Sequence, residues 1–134
     1  MHARIWGVAA TLAAVACAPG SERPEQLVLE HGRQYTSWLY GNQYEKLWGR
    51  FSPEMRQTFG SVTDLASFAS RAVTRMGREQ GAVDERVERT EPFGVYSRTA
   101  SFDNAPKRMR IEWSLTQDGE VTGLLLRPAT ENGQ

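Results

Sequence analysis

One cysteine, Cys17, stands among 134 residues, so no intramolecular disulfide can brace the chain, and thiolate metal sites and dithiol redox chemistry are excluded. Histidine is nearly as scarce, with His2 and His31 alone. A metal site would therefore be all-carboxylate, and no cluster of acids supplies one, so neither metal nor cofactor is expected. Charge of one sign is missing too: 16 Lys and Arg balance 16 Asp and Glu, which gives no reason to propose nucleic acid as a partner. There is no Gly-x-Ser-x-Gly elbow, phosphate-binding glycine loop or dinucleotide fingerprint, so nucleophilic and nucleotide-dependent mechanisms have no support. The apolar run from Ile5 to Ala16 is short. As a helix it reaches about 18 Å, whereas a bilayer core needs roughly 30 Å, so a permanent transmembrane span is not expected.

What that run does carry is an export pattern. Met1 to Arg4 is a charged start, Ile5 to Ala16 an apolar core, and Ala14-Val15-Ala16 a small-residue exit in front of Cys17. Ala16-Cys17, with Val15 and Ala14 upstream, resembles the bacterial lipoprotein box, in which leucine is usual where Ala14 stands. The resemblance implies lipidation of Cys17, and several acyl chains at about 0.8 kcal/mol per buried CH₂ hold a protein firmly to a membrane. The alternative is cleavage after Ala16, leaving a soluble exported protein with a free thiol. Ala18 is not an acidic retention residue, so the same resemblance implies an outer-membrane destination in an envelope with two membranes.

Removing residues 1–16 from 134 leaves 118, enough for one domain that buries roughly two thirds of its unfolded surface. Ala18 to Pro24 is rich in turn formers and is expected to be a flexible tether behind the anchor, and residues 130–134 a frayed tail. Between them, residues 25–129 read as a single α+β domain. Leu27, His31, Tyr35, Trp38 and Leu39 fall on one helical stripe ended by Gly41-Asn42. A short helical piece carries Tyr44, Leu47, Trp48 and Phe51, and Ser52-Pro53 reads as a cap that restarts a turn with Met55 and Phe59. Thr63 is the expected cap of a further helix with Leu65, Phe68, Ala69, Ala72, Val73 and Met76 on one face, stopped by Gly77.

Period two takes over after that. Phe93 to Phe102 alternates Tyr96, Arg98, Ala100 and Phe102 against Val95, Ser97, Thr99 and Ser101, and Met109, Ile111, Trp113 and Leu115 line a face of the next strand. Asp118-Gly119 is a hairpin turn into Val121 to Pro128, and the charged stretch Val83 to Thr90 suits an edge strand. The layout predicted is three N-terminal helices packed on a curved antiparallel sheet of about four strands.

This order of elements, with Tyr40-Gly41-Asn42-Gln43-Tyr44-Glu45-Lys46-Leu47-Trp48, Phe51-Ser52-Pro53-Glu54-Met55 and the closing Asp118 to Leu124 and Arg127-Pro128, resembles the nuclear-transport-factor-2-like superfamily. More narrowly it is similar to a cone-shaped exported bacterial domain often found ahead of a serine beta-lactamase-like or alpha/beta-hydrolase domain. No hydrolase follows here, so the domain is expected to act alone or for a separate partner. The resemblance implies a sheet wrapped around a pocket and closed by the long helix. Some members are isomerases or dehydratases with a pocket aspartate or histidine, and many are binding or dimerisation modules, a choice fold alone does not make.

The residues to weigh follow from that. His31 can act as a base with Tyr35 one turn along as proton donor, and Tyr96 and Asp103 complete the candidate catalytic set, although Asp103-Asn104-Ala105-Pro106 is a strong turn string and the simpler reading of His31 is a helix-surface or boundary residue. Asp64 near a helix start and Arg71, Arg75 and Arg78 near a helix end are accounted for by the helix dipole. An incompletely closed cone would be lined by Tyr35, Trp38, Trp48, Phe59, Phe68, Tyr96, Phe102 and Trp113. Ile111, Trp113 and Leu125 are a candidate homodimer face. The expectation drawn from all this is a lipid-anchored, non-catalytic envelope domain binding a small apolar ligand or a protein partner. The alternatives are a cofactor-free isomerase or dehydratase and a structural dimer.

Overall fold

In the computed structural model the described residues are 22–130, so the export pattern, Cys17 and residues 131–134 lie outside them. The protein is α+β. Helix α1 (Glu22–Tyr40) begins inside the stretch expected as tether and is followed by α2 (Tyr44–Trp48), α3 (Pro53–Phe59) and α4 (Val62–Met76). Strands β1 (Glu79–Thr90), β2 (Phe93–Phe102), β3 (Met109–Leu115) and β4 (Val121–Pro128) form one antiparallel sheet in the order β1-β2-β3-β4. None of the described helices is long and apolar enough to cross a membrane.

The helices number four rather than three because the chain between α2 and α3 is drawn out of helical conformation by the sheet. Val121 donates its N–H to the Arg50 carbonyl at 2.7 Å, Ser52 donates to the Val121 carbonyl at 2.9 Å, and Phe51 forms a lone parallel bridge beyond the edge of β4. Ser52 caps α3 as its sequence predicts, accepting from the Met55 N–H at 3.1 Å with Pro53 beside it. The cap of α4 is Ser61, not Thr63. Ser61 Oγ accepts from the Asp64 N–H at 3.1 Å and donates to the Asp64 carboxylate at 3.0 Å, a reciprocal pair that Thr63, already inside the helix, cannot form. Gly77 ends α4 at φ +79°, where a side chain would be strained.

The sheet turns its apolar rows to the helices. Val87, Tyr96, Trp113 and Leu124 pair across one row, and Arg98, Ile111 and Leu126 across the next. Tyr96, Trp113, Leu115 and Val121 are fully buried, as are Tyr35 and Leu47 from the helical side. Helix α1 lies on this inner face through Val28, Tyr35 and Leu39. Burying Val28 and Leu39 contributes roughly 1.5–3 kcal/mol each, which outweighs what propensity supplies along the helix. Two glycines allow the close approach: the space a Gly32 side chain would fill holds the Tyr96 ring, and that of Gly94 holds Val28. A polar rivet completes it, because Trp113 Nε1 donates to Thr36 Oγ1 at 2.9 Å and Thr36 donates to the Gly32 carbonyl at 2.8 Å.

Strand β1 starts earlier than its apolar pattern suggests. A shift of register between Gln80 and Asp84, at Gly81 with φ +70°, brings Glu79 opposite Phe102. The outer face of the sheet is polar, with Arg110 and Arg127 at 3.2 and 3.7 Å from the two oxygens of Glu112. Ile111 and Trp113, expected on an open face, are instead buried on the inner one, and Leu125 alone of that trio is exposed on the outer side.

Candidate functional site

The candidate catalytic residues fall in three places. His31 and Tyr35 lie one helical turn apart on α1 with their rings stacked at 5.6 Å. The Tyr35 hydroxyl donates to the Gly119 carbonyl in the β3–β4 turn, while Arg50 donates from Nε to Tyr35 Oη at 2.9 Å and from its amino group to the Asp118 carbonyl at 2.7 Å. This is a clamp that fastens the hairpin turn to α1. It commits the only proton Tyr35 has to a backbone carbonyl, so Tyr35 is not free to act as the proton donor. His31 Nδ1 stands 3.5 Å from Tyr35 Oη, at the limit of a hydrogen bond. Partial burial, then the charge of Arg50, lower the His31 pKa below its ordinary value, so the imidazole is neutral at neutral pH.

Tyr96 belongs to a second cluster. Its ring is fully buried against Gly32, its hydroxyl makes no hydrogen bond of acceptable geometry among the described residues, and burial raises its pKa. Beside it Arg98 points inward, donating from Nε and NH2 to the two oxygens of Glu79 at 2.8 and 3.0 Å and from NH1 to Glu85 at 2.5 Å. The Glu79 pairing holds the Arg98 guanidinium charged, and burial next to Glu79 pushes the Tyr40 phenol above its ordinary range. Glu85 also accepts from Arg33 on α1 at 2.8 Å. Every charge in this cluster is matched by a neighbour.

Asp103 lies elsewhere. Its N–H donates to the Arg78 carbonyl at 2.9 Å, its carboxylate accepts from Gln80, and it is exposed in the turn after β2. Gly94, near His31, and Asp103 are separated by the length of β2, about 30 Å at 3.3 Å per residue. No common substrate atom can touch both.

The aromatic residues fill space against one another. Tyr35 packs on Trp38 at 5.5 Å and on Trp113 at 5.8 Å, Tyr40 on Phe102 at 6.0 Å, and Phe59 lies between Phe51 and Phe68 at 5.6 and 5.5 Å, with Trp48 against Phe51 at 5.9 Å. They close the interior that the cone would have left open, and Phe68 reaches the surface.

Open space is found at the pole where α1 begins. A groove of about 510 Å³ runs between the first turns of α1, the β1–β2 turn and the β3–β4 turn. Pro24, Leu27, Val28, Phe93 and Leu115 form its apolar walls; Arg23, Arg89 and Asp118 supply charge, and His31 lines one side. Leu27 and Phe93 are 41% and 44% exposed, so substantial apolar surface there faces solvent. The volume falls within the range of ligand clefts, about 300–1,000 Å³. Of the sequence-predicted candidates the groove gathers only His31. Phe93, Gly94 and Leu115 were legible as strand residues but carried no sign that they border a cleft, since that depends on which helix end leaves them uncovered.

Among the described residues no group of three or more His, Cys, Asp or Glu is placed to hold a metal ion. Comparison with known proteins finds no family model, no curated protein and no solved structure that matches the chain.

Proposed function

We propose that the chain is an exported, lipid-anchored binding domain without catalytic activity, and that its ligand is a small apolar molecule seated in the groove beside the start of α1. The observation that carries this reading is the groove itself: apolar walls, two half-exposed hydrophobic side chains at its border, and a volume suited to one small ligand. Helices leading into an antiparallel meander, with α1 laid across its inner face, support kinship with the nuclear-transport-factor-2-like cone. The export pattern ending in Cys17 supports a place in a bacterial cell envelope, on the outer membrane where there are two.

An enzyme of the isomerase or dehydratase type has one observation in its favour, a neutral imidazole on the groove wall. Against it stand the committed Tyr35 proton and the separation of Asp103 from His31. Native mass spectrometry of the protein from the envelope fraction tests the binding reading. A co-purifying apolar ligand, lost on Leu27→Glu, is expected. Protein that carries no ligand and takes up no apolar dye refutes it. Intact mass of the same sample tests the anchor: Cys17 with acyl chains is expected, and a free thiol refutes it.

A further inference from the structure

We infer that the groove takes an acyl chain of a lipid drawn from the leaflet in which Cys17 is anchored. The inference rests on the binding and anchoring readings above and adds the chemistry of the ligand and its source. Position comes first. Helix α1 begins at Glu22, and its first turn, Arg23 and Pro24, is already part of the groove wall. The backbone from Cys17 to Glu22 spans at most about 18 Å at 3.6 Å per residue. An anchored Cys17 therefore keeps the start of the groove within about 18 Å of the membrane surface, where acyl chains are by far the most abundant apolar groups.

Surface chemistry agrees. Leu27 and Phe93 expose apolar area at this pole, while the outer face of the sheet offers Leu125 among charged neighbours. Residues that lower an amphiphile's cost of leaving the bilayer need apolar walls for the chain and cations near the mouth for the headgroup phosphate, and Leu27, Val28, Phe93 and Leu115 with the exposed Arg23 supply both. Arg89 is held by Glu91 and His31 is kept neutral, so the charge left on the groove wall is that of Arg23 and of Asp118 in the β3–β4 turn, with Leu27, Val28, Phe93 and Leu115 between them.

The test places a reporter in the wall. Phe93→Trp puts an indole at a half-exposed position, and its emission is read as the difference from the unsubstituted chain. The protein is anchored on phosphatidylethanolamine–phosphatidylglycerol vesicles through its own lipid, or, where Cys17 proves free, through coupling of that single thiol to a maleimide lipid. Failure of the lipoprotein reading thus leaves this test intact. With lipids brominated along the acyl chain, the new emission should shift to the blue and be quenched. Leu27→Glu, which removes one leucine's worth of apolar contact, should lower occupancy roughly tenfold, and Leu125→Glu on the outer face should change nothing. Emission that stays water-like and unquenched on brominated vesicles overturns the inference. The soluble Cys17→Ser protein is then titrated with decanoate. If it binds, the ligand function stands and only the membrane source falls. If it does not, both fall.

Discussion

Replacing Gly32 by alanine sets two effects of known size against each other. In an isolated helix the change stabilises by about 1 kcal/mol, because alanine loses less conformational freedom than glycine. Here the new Cβ would stand 2.1 Å from Tyr96 Cγ and 2.4–2.5 Å from two neighbouring atoms of the same side chain, well inside the 3.4 Å at which ordinary contact begins. Tyr96 cannot swing away, since it is fully buried and its strand is hydrogen-bonded on both sides. Either α1 lifts or the ring is forced off its rotamer, and overpacking of this kind costs typically about 1–3 kcal/mol. The Thr36–Trp113 bond is at risk if the helix lifts, adding about 1 kcal/mol. Net destabilisation of roughly 1–3 kcal/mol is expected, read as a fall in urea midpoint with unchanged slope. In a Tyr96→Leu background the penalty of Gly32→Ala should shrink markedly, a coupling that two residues in contact must show. If Gly32→Ala is as stable as the parent or more so, α1 does not lie against Tyr96, and the packing described for the inner face is wrong.

Removing one hydroxyl should have opposite consequences at two buried tyrosines: Tyr35→Phe unlocks the Gly119 and Arg50 contacts and should cost about 1–2 kcal/mol, whereas Tyr96→Phe deletes an unpartnered group and should be neutral or slightly stabilising. Equal losses in thermal melts would contradict these assignments. Arg98→Met leaves Glu79 uncompensated on the inner face, while Glu85 keeps only its bond from Arg33. A buried pair broken this way costs about 3–5 kcal/mol, and side-chain exposures near one fifth reduce the expectation to roughly 2 kcal/mol, checked by urea denaturation. Because the His31 pKa is lowered from 6.5 in the folded protein, the unfolded chain takes up a proton first as the pH falls. The contribution of His31 is thus fully present above pH 6.5 and is lost below it. His31→Gln should flatten that part of the stability profile, and an unchanged acid slope would show that His31 is not desolvated.

Much of the fold was written in local signals. Ser52-Pro53, Gly77 and Asp118-Gly119 mark boundaries because each meets a backbone need on the spot: a side-chain acceptor, or positive φ at Gly77 and Gly119. Period two in β2 likewise placed Tyr96, Ala100 and Phe102 inward. Thr63 misled because it and Ser61 both suit a cap, and only the reach of Ser61 to Asp64 decides between them. The site was harder to read. Arg98 shares the inward parity of Tyr96, so a charge facing the core was visible in the alternation, but its partners Glu79 and Glu85 belong to β1, whose register is set by the irregularity at Gly81. The clamp joins Tyr35, Arg50 and Gly119 from three separated parts of the chain, and nothing local announces it.

Why this groove lies at the pole where α1 begins follows from how the helices are distributed. Helix α1 contacts β1, β2 and β3, whereas α2 and α4 pack around its later part and on each other, and α3 packs on β4. Tyr40, at the end of α1, meets Phe102, so that end of the inner face is closed by aromatics and by the matched charges of Arg98, Glu79 and Glu85. The middle is filled by Tyr35, Tyr96 and Trp113. Only the first turns of α1 remain to cover the β1–β2 and β3–β4 turns, and their side chains leave a gap there. The clamp of Tyr35 and Arg50 fastens the Asp118-Gly119 turn, one border of that gap, to the helix. The aromatics and the matched charges therefore close the middle and far end of the inner face, and the groove borders the β1–β2 and β3–β4 turns where only the first turns of α1 cover them.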